Sequence, residues 1–359
     1  MSLVEVMVAM VAGLVLMLGA FQVFTSSKQT YRVQESLARL QENGRFAVMQ
    51  LREEMRMAGF AGCITHVNNL LDPTGTGYSD DLFDLGRPVF GWEATGTDSG
   101  DTLAVTTFDP NGVALNQWSG NAGSALTAEL QDRVVPGTDV VIIKRAENRS
   151  SATASGNTPA NAATINLTGA SGVPQSSIVL VTDCAGADVF QNTQAATGST
   201  LSRGAGGQPG NLAPGTAQFS HQYSDNMEIY TYAIDAYFVG IGVSGRPSLM
   251  RLRLGGGMPV DPATDIEELV EGIDNLQWLY GEDTNSDLAV DRYVAADDVT
   301  DWGNVIALRG AMLVTAVNPS LREAQGGAFD VNGTAVTMPD DRRQRQVFTT
   351  TIALRNLLP

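Results

Sequence analysis

Histidine and cysteine are nearly absent. Among 359 residues there are two of each: His66, His221, Cys63 and Cys184. Each histidine lacks a partner at metal-ligand spacing, and H-E-x-x-H, G-x-S-x-G and P-loop signatures are missing. Gly204-Ala205-Gly206-Gly207 sits in a loop without the strand-to-helix context of a phosphate cradle. These absences point away from an enzyme. Charge is scarce too, at 17% of residues, and unbalanced, with a formal net charge of −17. Residues 1–58 hold six Lys/Arg against five Glu, so the remainder carries about −18. A surface of that sign repels phosphate backbones, which argues against nucleic acid as a partner, and otherwise serves solubility.

With so few cysteines, three readings stand open: a disulfide, two free buried thiols, or half of a metal site. Neither Cys63 nor Cys184 has the close C-x-x-C or neighbouring His that zinc sites use. In an oxidising compartment a disulfide is the simplest outcome. It would close a loop of ~120 residues, worth on the order of 4–5 kcal/mol in the loop-entropy model. What is abundant is apolar or small: 43% of residues are hydrophobic and Gly occurs 38 times. That profile suits a secreted or surface protein with many loops, with ample material for a core and two domain-sized units at most.

One long run has no charge at all. From Val6 to Phe24 the only polar side chain is Gln22. As a helix the run is ~28 Å long, close to the hydrocarbon thickness of a bilayer. It is apolar on every face and fits lipid or the core of a helical bundle. A cleaved signal peptide fits poorly, because no basic stretch precedes the run and no A-x-A-like site follows it. An uncleaved anchor is expected. Ser2-Leu3-Val4-Glu5 spells a capping box, with Ser2 as N-cap and Glu5 at the third helical position, where a carboxylate also suits the helix dipole. A second reading of Glu5 is compatible with the first. A lone carboxylate in lipid costs ~2.5–3.5 kcal/mol and seeks a cation, which the N-terminal ammonium of a neighbouring subunit would supply.

Beyond Phe24 the pattern changes. Val33, Leu37, Leu40, Ala47, Val48, Leu51, Met55 and Ala58 recur at three- and four-residue intervals between charged residues. This predicts an amphipathic continuation that Gly59 terminates. The segment Ser2-Leu3-Val4-Glu5-Val6-Met7-Val8-Ala9 resembles the N-terminal region of mature type IV pilins and pseudopilins. The resemblance implies that Glu5 pairs with another subunit's N-terminus during assembly. In that family the first mature residue is usually Phe, N-methylated after prepilin peptidase cleaves behind a Gly. Here Met1 stands in its place.

In the rest of the chain, strand-like runs alternate with Gly- and Asp-rich turns. They cover Thr102–Phe108, Asp139–Arg145, Ile178–Thr182, Glu228–Val239, Leu249–Leu254, Ile273–Tyr280, Val305–Thr315 and Val347–Leu354. Met250-Arg251-Leu252-Arg253-Leu254 alternates most clearly, which predicts one wet face. Asp265–Val270 reads as a short helical or turn segment. Asn148–Gln175 and Gln191–Gln218 lack apolar periodicity and read as long surface loops. Asp283, Asn285, Asp287 and Asp291 present oxygens that can wrap a hard cation such as Ca²⁺. The stretch departs from an EF-hand loop, and an Asp/Asn-rich hairpin turn needs no metal.

The stretch 269–281, from Leu269 through Asn275-Leu276-Gln277-Trp278 to Gly281, is similar to a segment of PilW-type minor pilins. Trp302, Val305-Ile306-Ala307-Leu308-Arg309 and the terminal Phe348–Asn356 follow the same pattern. The expected fold is α+β and type IV pilin-like, with a long N-terminal helix packed on an antiparallel β-sheet head with long loops. Its divisions are a membrane and assembly half at 1–24, an amphipathic half at 25–58, and a periplasmic head at 59–359. The resemblance implies a minor pilin of the bacterial inner membrane that primes pilus assembly within a tip complex. Its implied partners are other minor pilins, the major pilin, a tip adhesin and prepilin peptidase, and its outputs are twitching motility and adhesion. A J-type pseudopilin of type II secretion and a non-polymerising membrane-anchored binding module are the alternatives.

Overall fold

The structure is a computed structural model that describes residues 2–64, 66–254 and 264–357. A single helix, α1 (Leu3–Arg56), runs unbroken through both halves expected from sequence. Its capping box forms as the spacing predicts, and Gly59 leaves the helix at φ +75°, a conformation that favours glycine. The apolar half is wholly exposed. Burial begins further along at Leu40, Gly44, Ala47, Leu51 and Met55, with Ala58 just past the helix. These residues share one face at three- and four-residue spacing and enter the main core. Leu37, counted with that face in the sequence, stays exposed.

The head is β-rich. Among the described residues its largest sheet has nine strands. These include β1 (Val89–Ala94), β2 (Val140–Arg149), β3 (Ile178–Thr182), β4 (Ala187–Gln191), β5 (Glu228–Ile241), β6 (Pro247–Leu254) and β7 (Ile266–Glu271). The 14-residue β5 organises it. One edge of β5 pairs with β2, while the other pairs first with β3 and then with β6. A second sheet holds β8 (Ile273–Glu282), β9 (Val305–Thr315) and β10 (Arg345–Ala353), with Arg292–Val294 at its edge. Apolar alternation explains why these runs form strands, and most match their predicted bounds to within a few residues. An aromatic cluster joins the two sheets. Phe90 on β1 and Tyr280 on β8 each place their ring centroid 4.7 Å from that of Trp302.

Three expectations need correction. Asp265–Val270 is not helical: Ile266–Glu271 is strand β7, because β6 offers a free edge. Arg251 on that edge salt-bridges Glu267, while Ser248 bonds Glu268 at 2.7 Å. The arginine face of β6 is not simply wet. Arg253 pairs with Asp235 and Glu147, and Arg251 reaches Glu54 of α1. The two stretches read as loose loops are packed. Thr164–Asn166 pairs with Thr200–Ser202, and Ile165, Leu167, Val173, Leu201, Phe219 and Tyr223 form a second small core against β3 and β4. The buried Arg203 sits in that core. It donates to the carbonyls of Ala162 and Ala217, each at 2.9 Å, and stacks its guanidinium over Phe219.

Candidate assembly interface

The N-terminus of α1 is built by its first four described residues. The Ser2 hydroxyl accepts from the Val4 amide, and the Ser2 amide donates to Glu5 Oε2 at 2.9 Å. Both groups are exposed, so Glu5 is held at the mouth of the helix, open to solvent. Met1, the other residue singled out for pairing, lies outside the described residues. The stretch that follows is long and apolar enough to cross a membrane, and none of it is buried within the chain. It is a candidate membrane anchor.

The other half of α1 docks on the head through polar ties at both ends and apolar contact between. Near the base, the Gln29 side-chain amide donates to the Ser320 carbonyl. In the middle, Asn43 donates to the Glu271 carbonyl at 3.3 Å. There Gly44 meets the Phe348 ring of β10 so closely that a Cβ would overlap it. At the far end Glu54 receives Arg145 at 2.8 Å and Arg251 at 3.6 Å. Asn356 donates to the carbonyls of Arg56 and Ala58, both at 3.1 Å, satisfying acceptors that a helix end leaves open. Sequence reading missed these partners, since nothing in the local pattern marks them. The one usable signal was a glycine, Gly44, inside an otherwise amphipathic repeat.

Cys63 and Cys184 are joined in a disulfide with Cα atoms 5.2 Å apart. It ties the chain just beyond α1 to the β3–β4 turn, where Cys184 has φ +68°. The adjacent turn is held by His221. Its Nε2 lies 3.0 Å from Asp183, and its Nδ1 lies 3.0 Å from the Ser220 hydroxyl. That hydroxyl also reaches Asp188 at 2.8 Å, and the Ser220 amide donates to the same carboxylate. Histidine, serine and carboxylates thus form one hydrogen-bonded chain that clasps the segment to the small core.

The residues proposed for calcium come together in one loop, with their oxygens turned to the loop's own donors. The Asp283 carboxylate accepts from the amides of Asn285, Ser286, Asp287 and Leu288, at 2.7–3.3 Å. Burial pushes this carboxyl's pKa up, and the four amides more than offset that, leaving it below the usual value. Asp291 accepts from the Thr284 amide and hydroxyl and from the Asn285 side chain. Asp287 accepts from the Ala289 amide. Among the described residues no group of three or more His, Cys, Asp or Glu side chains is placed to hold a metal ion.

A different carboxylate pair, unremarked in the sequence, joins the two sheets. Asp139 accepts from Ala94 of β1 at 3.1 Å and from Trp278 of β8 at 2.7 Å. Glu93 accepts from the Thr97 hydroxyl at 2.8 Å and is close enough to Asp139 for the two charges to repel. Burial raises the pKa of both carboxyls, and the repulsion of Asp139 pushes Glu93 up further. A proton on Glu93 relieves the repulsion between them.

No curated protein matches the chain. Residues 236–356, roughly a third of the chain, match the family model for PilW, type IV pilus-assembly protein W. The matched segment supplies Arg251, Glu271, Ser320, Phe348 and Asn356, which receive α1. The match therefore falls on the platform of the helix, and it supports a type IV pilus-associated protein.

Proposed function

We propose that the chain is a minor pilin that primes type IV pilus assembly and joins a tip complex with other minor pilins, the major pilin and a tip adhesin. The observation that carries this reading is the unburied apolar half of α1, continuous with a half docked on the segment that matches a pilus-assembly family. A helix apolar on every face has two stable surroundings: lipid, or a bundle of like helices. In the first, the chain is a single-pass protein of the bacterial inner membrane, with its head in the oxidising periplasm that suits the disulfide. In the second, it has left the bilayer for a fibre. Glu5 then neutralises the N-terminal amine of a neighbour, an amine exposed by prepilin peptidase and methylated. Twitching motility and attachment follow from the fibre, and no cofactor is required.

The test is a clean gene deletion scored for both surface pili and secreted proteins. Lost pili with normal secretion is the expected result. Lost secretion with normal pili would assign the chain to type II secretion as a J-type pseudopilin. Complementation with Glu5→Ala is expected to restore membrane-bound protein but not fibre incorporation. Full rescue by that variant would instead favour an anchored module that never polymerises.

A further inference from the structure

Near the C-terminal end of α1, which Arg145 and Glu147 link to Arg253, the main sheet opens into a cleft of about 570 Å³, within the range of small-ligand sites. It lies where β5 passes its hydrogen-bonded edge from β3, last paired at Thr231 with Val179, to β6, first paired at Ile234 with Leu254. Its position follows from α1. Glu54, which meets Arg145 and Arg251 near this end, stands about 30 residues, or roughly 45 Å, beyond the apolar run.

The walls are set by backbone devices. Asn148 on β2 has φ +47° and forms a bulge where the pairing with Tyr230 and Thr231 shifts register. A bulge re-aims the next side chain, here Arg149, which lines the cleft. On the opposite wall Ser176 has φ +70° and precedes Ser177. That wall is fixed from behind by two buried amides. Gln191 donates to the Ser176 carbonyl at 2.9 Å, and Asn192 donates to the Val173 and Pro174 carbonyls at 3.3 Å. Each wall thus carries one non-glycine residue in the left-handed region, and the Ser176 wall is fixed by buried polar groups as well.

The chemistry is mixed rather than charged. Arg149 pairs with Glu228 at 2.7 Å, and Arg253 pairs with Glu147 at 2.8 Å. Arg149 is thus neutralised by Glu228, and Arg253 by Glu147 together with Asp235, so neither guanidinium offers an unpaired charge, while the carboxylates keep acceptor positions. Ser151 and Ser177 are among the residues that line the cleft, and Val173, Pro174, Ile178 and Tyr232 add apolar lining. A free anion would meet arginines already paired, and an apolar ligand would strand the serine hydroxyls. A polyol satisfies both sets, because each hydroxyl donates and accepts while the C–H face of a sugar ring covers the apolar lining. We infer that this cleft is a binding site for a neutral saccharide unit of one or two rings. The inference is independent of the assembly reading.

The test is saturation-transfer NMR on the full chain in a sugar-free detergent. Cellobiose, lactose, the N-acetylglucosamine dimer and glucuronate are each offered up to about 10 mM, where weak sites still register. Binding of at least one neutral sugar is expected. Arg149→Ala, at an exposed position, and Ser177→Phe, which fills the cleft, should each weaken it at least tenfold. A preference for the N-acetylated dimer would point to cell-wall glycan, and a preference for lactose or cellobiose to an external one. The inference is overturned if no neutral sugar binds, if glucuronate alone binds, or if neither substitution alters binding while both variants keep the parent melting temperature.

Discussion

Glu93 and Asp139 show how much one pair of side chains can govern. The unfolded chain releases their protons near the ordinary carboxylate range, around pH 4, whereas the folded head keeps them to higher pH. The folded state then binds more protons than the unfolded state, so the pair's contribution is complete below about pH 4 and declines as pH rises through neutrality. The buried Lys144, whose pKa burial lowers to about 7, acts in the opposite sense above that value. Melting followed by circular dichroism between about pH 5 and about pH 7 isolates the carboxyls. The melting temperature is expected to fall across that interval. Glu93→Gln, which keeps a donor toward Asp139, should flatten the fall, and an unchanged slope would show that the pair does not titrate as its burial implies. Neither residue was visible as a pair in the sequence. They lie 46 positions apart, and their proximity comes from β1 and β2 meeting in the folded sheet.

At the scale of elements, the long helix and most strands were legible because each presents one strong period. The apolar run of α1 needs no partner in the chain to be recognised, and β3 and β9 match their predicted bounds. Legibility failed where partners decide. Ile266–Glu271 mixes acids and apolar residues at helical spacing, yet Arg251 and Ser248 across the ladder draw it into a strand. The Ala/Ser/Thr/Gly-rich stretches hide a core because each contributes single apolar residues, such as Ile165 and Leu201, instead of a repeat. In the candidate interface, Glu5 and the cysteines were readable from position and scarcity, while Gly44, Glu54 and Asn356 acquire meaning only from distant partners. The disulfide fixes the junction of these elements, spanning a sequence separation of 121. Replacing both cysteines by serine is expected to cost about 4–5 kcal/mol, measured by denaturant unfolding. Equal stability of the two forms would mean that the denatured chain is already compact around that loop.

For the whole molecule, the division falls within one continuous helix and not between domains. Because the first hydrogen bond between α1 and the head among the described residues is at Gln29, a chain lacking residues 2–28 is expected to keep the parent's far-ultraviolet β signal and its melting temperature within a few degrees. It should also stay in solution without detergent, and a large loss of stability would show that the apolar half also supports the head. The docked half has a further geometric property. From Val33 to Arg56 it runs beside residues 344–356 in the same direction, touching Gln344, Phe348 and Asn356 in turn. If the helix is pulled along its axis while the head is restrained, these contacts are strained together in shear and do not open one after another like a zip. Tension entering through the helix therefore spreads over the length of β10, and the Cys63–Cys184 bond gives the force a second, covalent route into the sheet.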